Sequence, residues 1–387
     1  MYRHFIMHDD FDVFIASDNP TNFPGIESFH FIRSRLHRRL SRTRLRRLVH
    51  QFEICVEPYL LVPRMLRALR VFNADAIFTI PDNTLSWTAY LLSRITALPF
   101  ITNFQDWWPR GQFHAPSEQP FPMVRVLLER RFRRMYRASA LAFCTSEGMR
   151  RFLGHHNNSV VLFPCPDKRR ETTRNIVIRT QHARPVQITY AGTLFGEYGK
   201  KLLSLARALC DSPNYNLRLY GHKPDWPAND IEWASRRGIY CGFVPLDQLK
   251  HHFEDSDVFL VVMSSSPRLQ LMMETSFTTK FLEATQYGKP VIVWGPAYCQ
   301  PVQVAKSTGA GLVVEEDDVS FVLSTLDSLC SHDRWLQFAA GAWQAATTIF
   351  DHDRIHRIFQ DAIYSLVETQ HRGGPATGKH DATRNTA

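Results

Sequence analysis

Short apolar runs alternate with stretches of helical periodicity along nearly the whole chain. In the first half the runs cover residues 13–16, 76–80, 100–104, 140–144 and 160–163. In the second they cover residues 186–191, 217–220, 239–241, 258–263, 291–294 and 311–314. Runs this short, bounded by turn residues, predict buried parallel strands, and the intervening segments can form crossover helices. The expected class is α/β, with two doubly wound, Rossmann-like units. Residues 164–184 are rich in Pro, Arg, Lys and Thr without sustained periodicity, which places the hinge there. The expected division is residues 1–170, residues 171–345, a helix over 346–369 packing back on the first unit, and a disordered tail over 370–387 with little to bury. No internal repeat of fixed period is present.

The most informative stretch runs from Thr278 to Trp294. Thr278 or Thr279 can cap a helix, Gly288 can close it, and Pro290 stops it before the apolar run that follows. Lys280 and Glu283 lie three apart and so share a helical face near the positive end of the dipole. An ammonium, free amides and a carboxylate in one place suit a diphosphate beside a ribose. A capped surface helix with a solvated charge pair accounts for the same residues.

In doubly wound sheets ligands gather beyond the carboxyl ends of the strands. After the run at 186–191 come Gly192, Thr193 and Gly196, where backbone amides can approach an oxyanion, and then Lys200, which can reach it. A tight strand-to-helix turn explains the glycines equally well. Gly221, and Gly242 with Phe243, follow the next two runs and can floor a base pocket. In the first half the corresponding loops offer Asp82 and Asn83, then Asp106, Trp107 and Trp108, then His114. A carboxylate beside two tryptophans suits a stacked sugar with a hydroxyl proton to manage, although a loop acid bonded to backbone amides is the plainer account.

The 387 residues exceed what one core usually organises, and 44% apolar content supplies material for two. Forty-six Lys and Arg against 37 Asp and Glu favour anionic partners. The seven cysteines lack metal or redox spacing and read as reduced core residues. His155–His156 and His251–His252 are adjacent pairs whose rings diverge, so no metal site is expected. No apolar run approaches the roughly 20 residues that span a bilayer, and Asp9 and Asp10 stand where a signal peptide needs its apolar stretch; a cytoplasmic location follows. Arg33, Arg35, Arg38, Arg39, Arg42, Arg44, Arg46 and Arg47 surround a stripe of Ile32, Leu36 and Leu40, as in a basic amphipathic helix resting on an anionic membrane surface. A solvated face is the alternative. No RNA-binding signature accompanies it, so no nucleic-acid partner is expected.

These features together resemble the GT-B glycosyltransferases, and among them the large retaining family, often called family four, that builds polysaccharides and lipopolysaccharides. The resemblance spans residues 10–365. TTKFLEATQYGKPVIVWGP is similar to the donor motif of that family, and FQDWWP to an acceptor-side loop of transferases acting on lipid carriers. YAGTL with Lys200 resembles the loop that meets the donor diphosphate, and CGFVPLDQLKHHFEDSDVFLVV the stretch lining the base pocket. The resemblance implies that Glu283 binds the ribose hydroxyls, Lys280 and Lys200 the phosphates, and Asp106 the acceptor side. It pairs two glutamates eight apart; eight before Glu283 stands Thr275, with Glu274 one further back as the substitute. The resemblance also implies an initial strand and glycine-rich loop, whereas the first run here corresponds to the second strand. The implied activity is transfer of a sugar from a nucleoside-diphosphate donor to a glycan or lipid-linked acceptor, with retention and without metal or other cofactor. The alternatives are a catalytically silent scaffold of the same fold and a nucleotide-sugar epimerase.

Overall fold

The computed structural model describes residues 2–17, 23, 25–31, 33, 35–82, 84–110, 119–167 and 185–373. Asn83, His114, most of the expected hinge and the tail beyond residue 373 lie outside the described residues. The strands are β1 (Phe14–Ser17), β2 (Glu27–His30), β3 (Ile77–Thr79), β4 (Phe100–Phe104), β5 (Leu141–Cys144), β6 (Ser159–Val161), β7 (Val186–Ala191), β8 (Tyr215–Tyr220), β9 (Tyr240–Gly242), β10 (Val258–Val262), β11 (Val291–Trp294) and β12 (Leu312–Val314). Every apolar run singled out above forms one of them. β2 went unrecognised because Glu-Ser-Phe-His carries neither an apolar run nor alternation around it.

β7 to β12 form one parallel sheet in the order β12-β11-β10-β7-β8-β9, and the strand order reverses between β7 and β10. That is the doubly wound arrangement, which opens a crevice at the reversal. The first unit holds a parallel sheet in the order β3-β4-β5-β6, while among the described residues β1 and β2 pair only with each other. A cavity of about 1270 Å³ lies between that pair and β3, lined in part by Ile15, Phe29, Phe78 and Ile363. Among the described residues, no strand joins β1 to β3. β10 and β11 are buried at every position, as a sheet covered on both faces requires.

The last helix, His352–Gly373, crosses back onto the first unit. Its Phe359 is fully buried and meets Phe5 at 5.1 Å, Phe143 at 5.1 Å and Phe78 at 6.0 Å between ring centroids. Three of the seven cysteines, Cys144, Cys165 and Cys299, are buried; Cys330 is exposed, and all seven are free. No described helix is long and apolar enough to cross a membrane.

The arginine-dense segment departs from expectation. It forms two helices, Arg35–Leu40 and Arg46–Cys55, not one. Between them the Thr43 hydroxyl donates to the Leu40 carbonyl (2.7 Å) and accepts from the Leu45 amide (3.2 Å), competition of the kind that interrupts helices. Arg33 is held by Glu57 at 3.2 Å and Glu53 at 3.5 Å, and Arg47 lies over the Phe121 ring at 4.4 Å. Arg38, Arg39, Arg42, Arg44 and Arg46 remain exposed beside the exposed Leu45 and Leu48.

Trp107 and Trp108 also differ from expectation. Trp107 is fully buried, edge-on to Phe132 with centroids 5.2 Å apart and under the Arg133 guanidinium at 4.9 Å; Trp108 is 7% exposed in the same core. Two large rings next to a strand end bury more apolar area in the core than at its rim, so neither offers a stacking face to a sugar. Trp107→Ala is therefore expected to destabilise the protein by about 3–5 kcal/mol in denaturant unfolding. A variant as stable as the parent would return the ring to a surface role.

Candidate functional site

A pocket of about 380 Å³ opens at the carboxyl ends of β7 and β8, against the helix Thr279–Thr285. Gly192, Thr193, Gly221, Phe243, Thr279, Lys280 and Glu283 line it. These residues come from four separate segments, converging because parallel strands deliver all their following loops to one edge.

Thr278 is the cap of that helix, its hydroxyl oxygen accepting the Lys280 amide at 3.4 Å. The side chain of Lys280 runs inward over the rings of Tyr190 (5.3 Å) and Tyr198 (6.0 Å), with Nζ 3.5 Å from the Tyr190 hydroxyl. That hydroxyl in turn donates to the Thr193 carbonyl at 2.8 Å. Among the described residues, no carboxylate comes within ion-pair distance of the Lys280 ammonium. Burial lowers its pKa to about 8, only partly opposed by the Glu283 charge.

Glycine is required where Lys280 passes. A Cβ on Gly192, whose φ is +154°, would stand 2.2 Å from Nζ, and one on Gly221 would stand 2.1 Å from the Gly192 carbonyl oxygen. The expected use of loop amides for an oxyanion is corrected here. The Gly192 amide donates to the Tyr220 carbonyl (2.8 Å) and the Gly196 amide to the Asp225 carboxylate (2.9 Å). Gly192 makes room for a cation, and the amides of both glycines are already engaged.

Lys200 is not brought to the pocket. It is exposed on the outer face of the helix Gly196–Leu209 and pairs with Glu197 at 3.0 Å. Its neighbour Lys201 is the inward one, 8% exposed, donating to Ser265 Oγ at 2.9 Å, paired with Asp317 and lying over the Trp294 ring at 4.8 Å. One position along a helix rotates a side chain by about 100°, which separates these two lysines. Gly242, with φ +78°, ends β9 and gives its carbonyl to the Gly221 amide at 2.9 Å, supporting the pocket floor from behind. Phe243 stacks on His222 at 4.5 Å with the rings 9° apart, and both line the pocket. His222 follows Gly221 directly but carried no sequence signal.

Glu283 stands one turn beyond Lys280, and burial raises its pKa, against the opposing charge of Arg3. Arg3, from the amino-terminal helix Tyr2–Phe5, lies 3.7 Å from the Glu283 carboxylate and 2.5 Å from Asp167, which is itself paired with Lys250 at 2.9 Å. Sequence periodicity gave no hint of this guanidinium, which approaches Glu283 across a separation of 280 positions.

Asp106, from the first unit, does not line the pocket. Burial, and then the charges of Cys299 and Asp106, push the hydroxyl of Tyr198, the tyrosine that borders Lys280, up to about 12. Glu274 lies at the seam between the units. Its side chain accepts from Gln270 at 2.7 Å, and its backbone carbonyl leaves room only for glycine at Gly148. It does not line the pocket. Asp82 borders the larger cavity beside β3 and is likewise apart from it.

Residues 174–333 match the family described as Glycosyl transferases group 1. No curated protein matches the chain in sequence. The fold is shared with a glycosyltransferase from Rickettsia africae at 13% identity, covering 92% of this chain and 90% of that one with a TM-score of 0.64. It is shared with Anabaena HepE, solved in complex with UDP and glucose, at 14% identity, 94% of either chain and a TM-score of 0.63. Sucrose-phosphate synthase from Thermosynechococcus elongatus aligns at 13% identity over 80% of this chain and 79% of that one, with a TM-score of 0.57. Residues 174–333, in the second unit, thus match a Glycosyl transferases group 1 domain, and the chain as a whole shares the two-unit GT-B fold of these structures.

Proposed function

We propose that the protein transfers a sugar from a nucleoside diphosphate to a hydroxyl of a glycan or lipid-linked acceptor, with retention and without a metal ion, in the assembly of cell-surface polysaccharide. One observation carries this reading: a half-buried lysine at the pocket floor with, among the described residues, no carboxylate paired to it. Departure of the sugar builds negative charge on the diphosphate, and a desolvated ammonium stabilises that charge far more than one in water. Glu283 takes the ribose hydroxyls, exchanging its contact with Arg3 for them. The His222 and Phe243 pair walls the base. A uridine base is the first to test, because the Anabaena protein of this fold was solved with UDP.

In a retaining course the acceptor attacks on the face that the diphosphate leaves, so a departing phosphate oxygen takes the acceptor proton. Asp106 then orients the acceptor hydroxyl and is not an obligate base. Glu274, at the seam, is assigned to holding the two units in register beside the transferred sugar. The exposed arginines from Arg38 to Arg46, with the exposed Leu45 and Leu48 beside them, are the surface assigned to an anionic membrane.

Lys280→Ala is expected to slow transfer by about 10²–10³-fold, the usual cost of one oxyanion donor. Glu283→Gln should act chiefly on KM for the donor. Turnover with uridine, guanosine and adenosine diphosphate sugars, alongside circular dichroism to confirm folding, checks both. Undiminished transfer by Lys280→Ala, or no calorimetric binding of any donor, overturns the assignment.

The pKa of Lys280 adds a signed expectation. The free site loses its proton as pH rises through about 8, and a bound diphosphate restores it. Donor affinity therefore falls above that pH, and binding at pH 8 takes up about half a proton per site. Calorimetry in buffers of different ionisation enthalpy measures this uptake, which Lys280→Arg abolishes because arginine stays charged.

Vesicles containing anionic phospholipid are expected to retain the protein in flotation at low salt and release it at high salt. Arg38→Glu with Arg42→Glu should prevent retention; equal flotation of that variant removes the membrane assignment.

A further inference from the structure

Four histidines converge where the amino-terminal segment meets the last helix. His352 and His356 are one turn apart on that helix, 5% and 6% exposed, and present their rings to residues 4–10. His8 Nε2 lies 3.0 Å from His352 Nε2, and His356 Nε2 lies 2.8 Å from a carboxylate oxygen of Asp10. The ligand atoms of His8, Asp10 and His356 all fall within 4.8 Å of one another. Imidazole and carboxylate donors around a four-coordinate zinc ion, at 2.0–2.1 Å from it, stand about 3.3 Å apart. The 4.8 Å limit exceeds that spacing and the His356–Asp10 contact at 2.8 Å is shorter, so an ion would redistribute the three donors around itself.

The atoms turned away from the cluster are also held. His352 Nδ1 meets the Pro166 carbonyl at 2.8 Å, which places its proton there and leaves the Nε2 lone pair facing His8. Gln360 donates to the second oxygen of Asp10 at 2.8 Å, and His356 Nδ1 meets His4 Nδ1 at 3.3 Å. Outer partners that fix ring orientation and tautomer are what metal-binding histidines use.

The geometry points to a structural site for a zinc-class divalent ion, with His8, Asp10 and His356 as its protein ligands and His352 beside them. The ion ties the amino-terminal segment to the last helix. None of the three lines the donor pocket, so the site is independent of the transfer chemistry and compatible with a metal-free reaction. Imidazole with one carboxylate selects zinc, cobalt or nickel over magnesium or calcium, which prefer all-oxygen shells.

The test uses the full chain without a histidine tag, stripped with a chelator and dialysed. Cobalt(II) is expected to bind one per chain with the intense visible bands of a tetrahedral ion, and zinc to displace it. Zinc at 100-fold over its Kd is expected to raise the melting temperature of the parent. Asp10→Asn with His8→Gln should lose both the bands and the shift. Absence of cobalt bands in the parent overturns the site and leaves the cluster as a hydrogen-bonded relay of neutral rings. Unchanged bands in the double variant overturn it as well, by placing the ion elsewhere. The parent measurement stands by itself should the double variant unfold. Magnesium, added in parallel, is expected to leave the melting temperature unmoved.

Discussion

The position of the last helix governs everything else in the molecule. Phe359 is buried among rings contributed by the amino-terminal segment and by β3 and β5, so a helix that follows the second unit in sequence belongs to the core of the first. This packing sets how the two units face one another. It also fixes the amino-terminal segment, whose Arg3 reaches Glu283 and whose His8 and Asp10 meet His352 and His356. A ring that buries its whole surface and meets three others edge-on or tilted is worth several kcal/mol, more than any of the exposed ion pairs around it.

The donor side shows a second economy. The ammonium of Lys280 costs desolvation energy in the free protein, and the structure tolerates the cost because two tyrosine rings face it and Gly192 leaves it room. A half-buried cation without a counter-ion is a poor contributor to stability and a good receptor for an anion. The same residue therefore links fold, pKa and ligand.

What the sequence made legible follows from the range of the forces involved. Strands β4, β5, β10 and β11 announced themselves because burial on both faces writes a continuous apolar run into the chain. Lys280 and Glu283 were readable because a capped helix fixes three-residue spacing locally. Lys200 was mistaken for Lys201, since glycines predict a turn but not the rotation of the helix after it. The tryptophans were read outward because a strand end and a loop look alike without the second layer of packing that covers Trp107. Arg3, His222 and the histidine cluster depend on contacts between segments far apart in the chain; the adjacent histidine pairs drew notice, while the four that meet are spread over both ends. β2, with no apolar run, was silent for a different reason: its pairing rests on backbone groups.

The clasp between His4 and His356 joins residues 352 positions apart. A contact of that span closes nearly the whole chain into a loop, and its entropy is recovered only after the intervening βα units have already shortened the path. It belongs to the end of folding, when both sheets exist. Weakening it should leave the folding rate nearly untouched and hasten unfolding, so the junction acts as a latch on the lifetime of the finished molecule more than as a guide to its making.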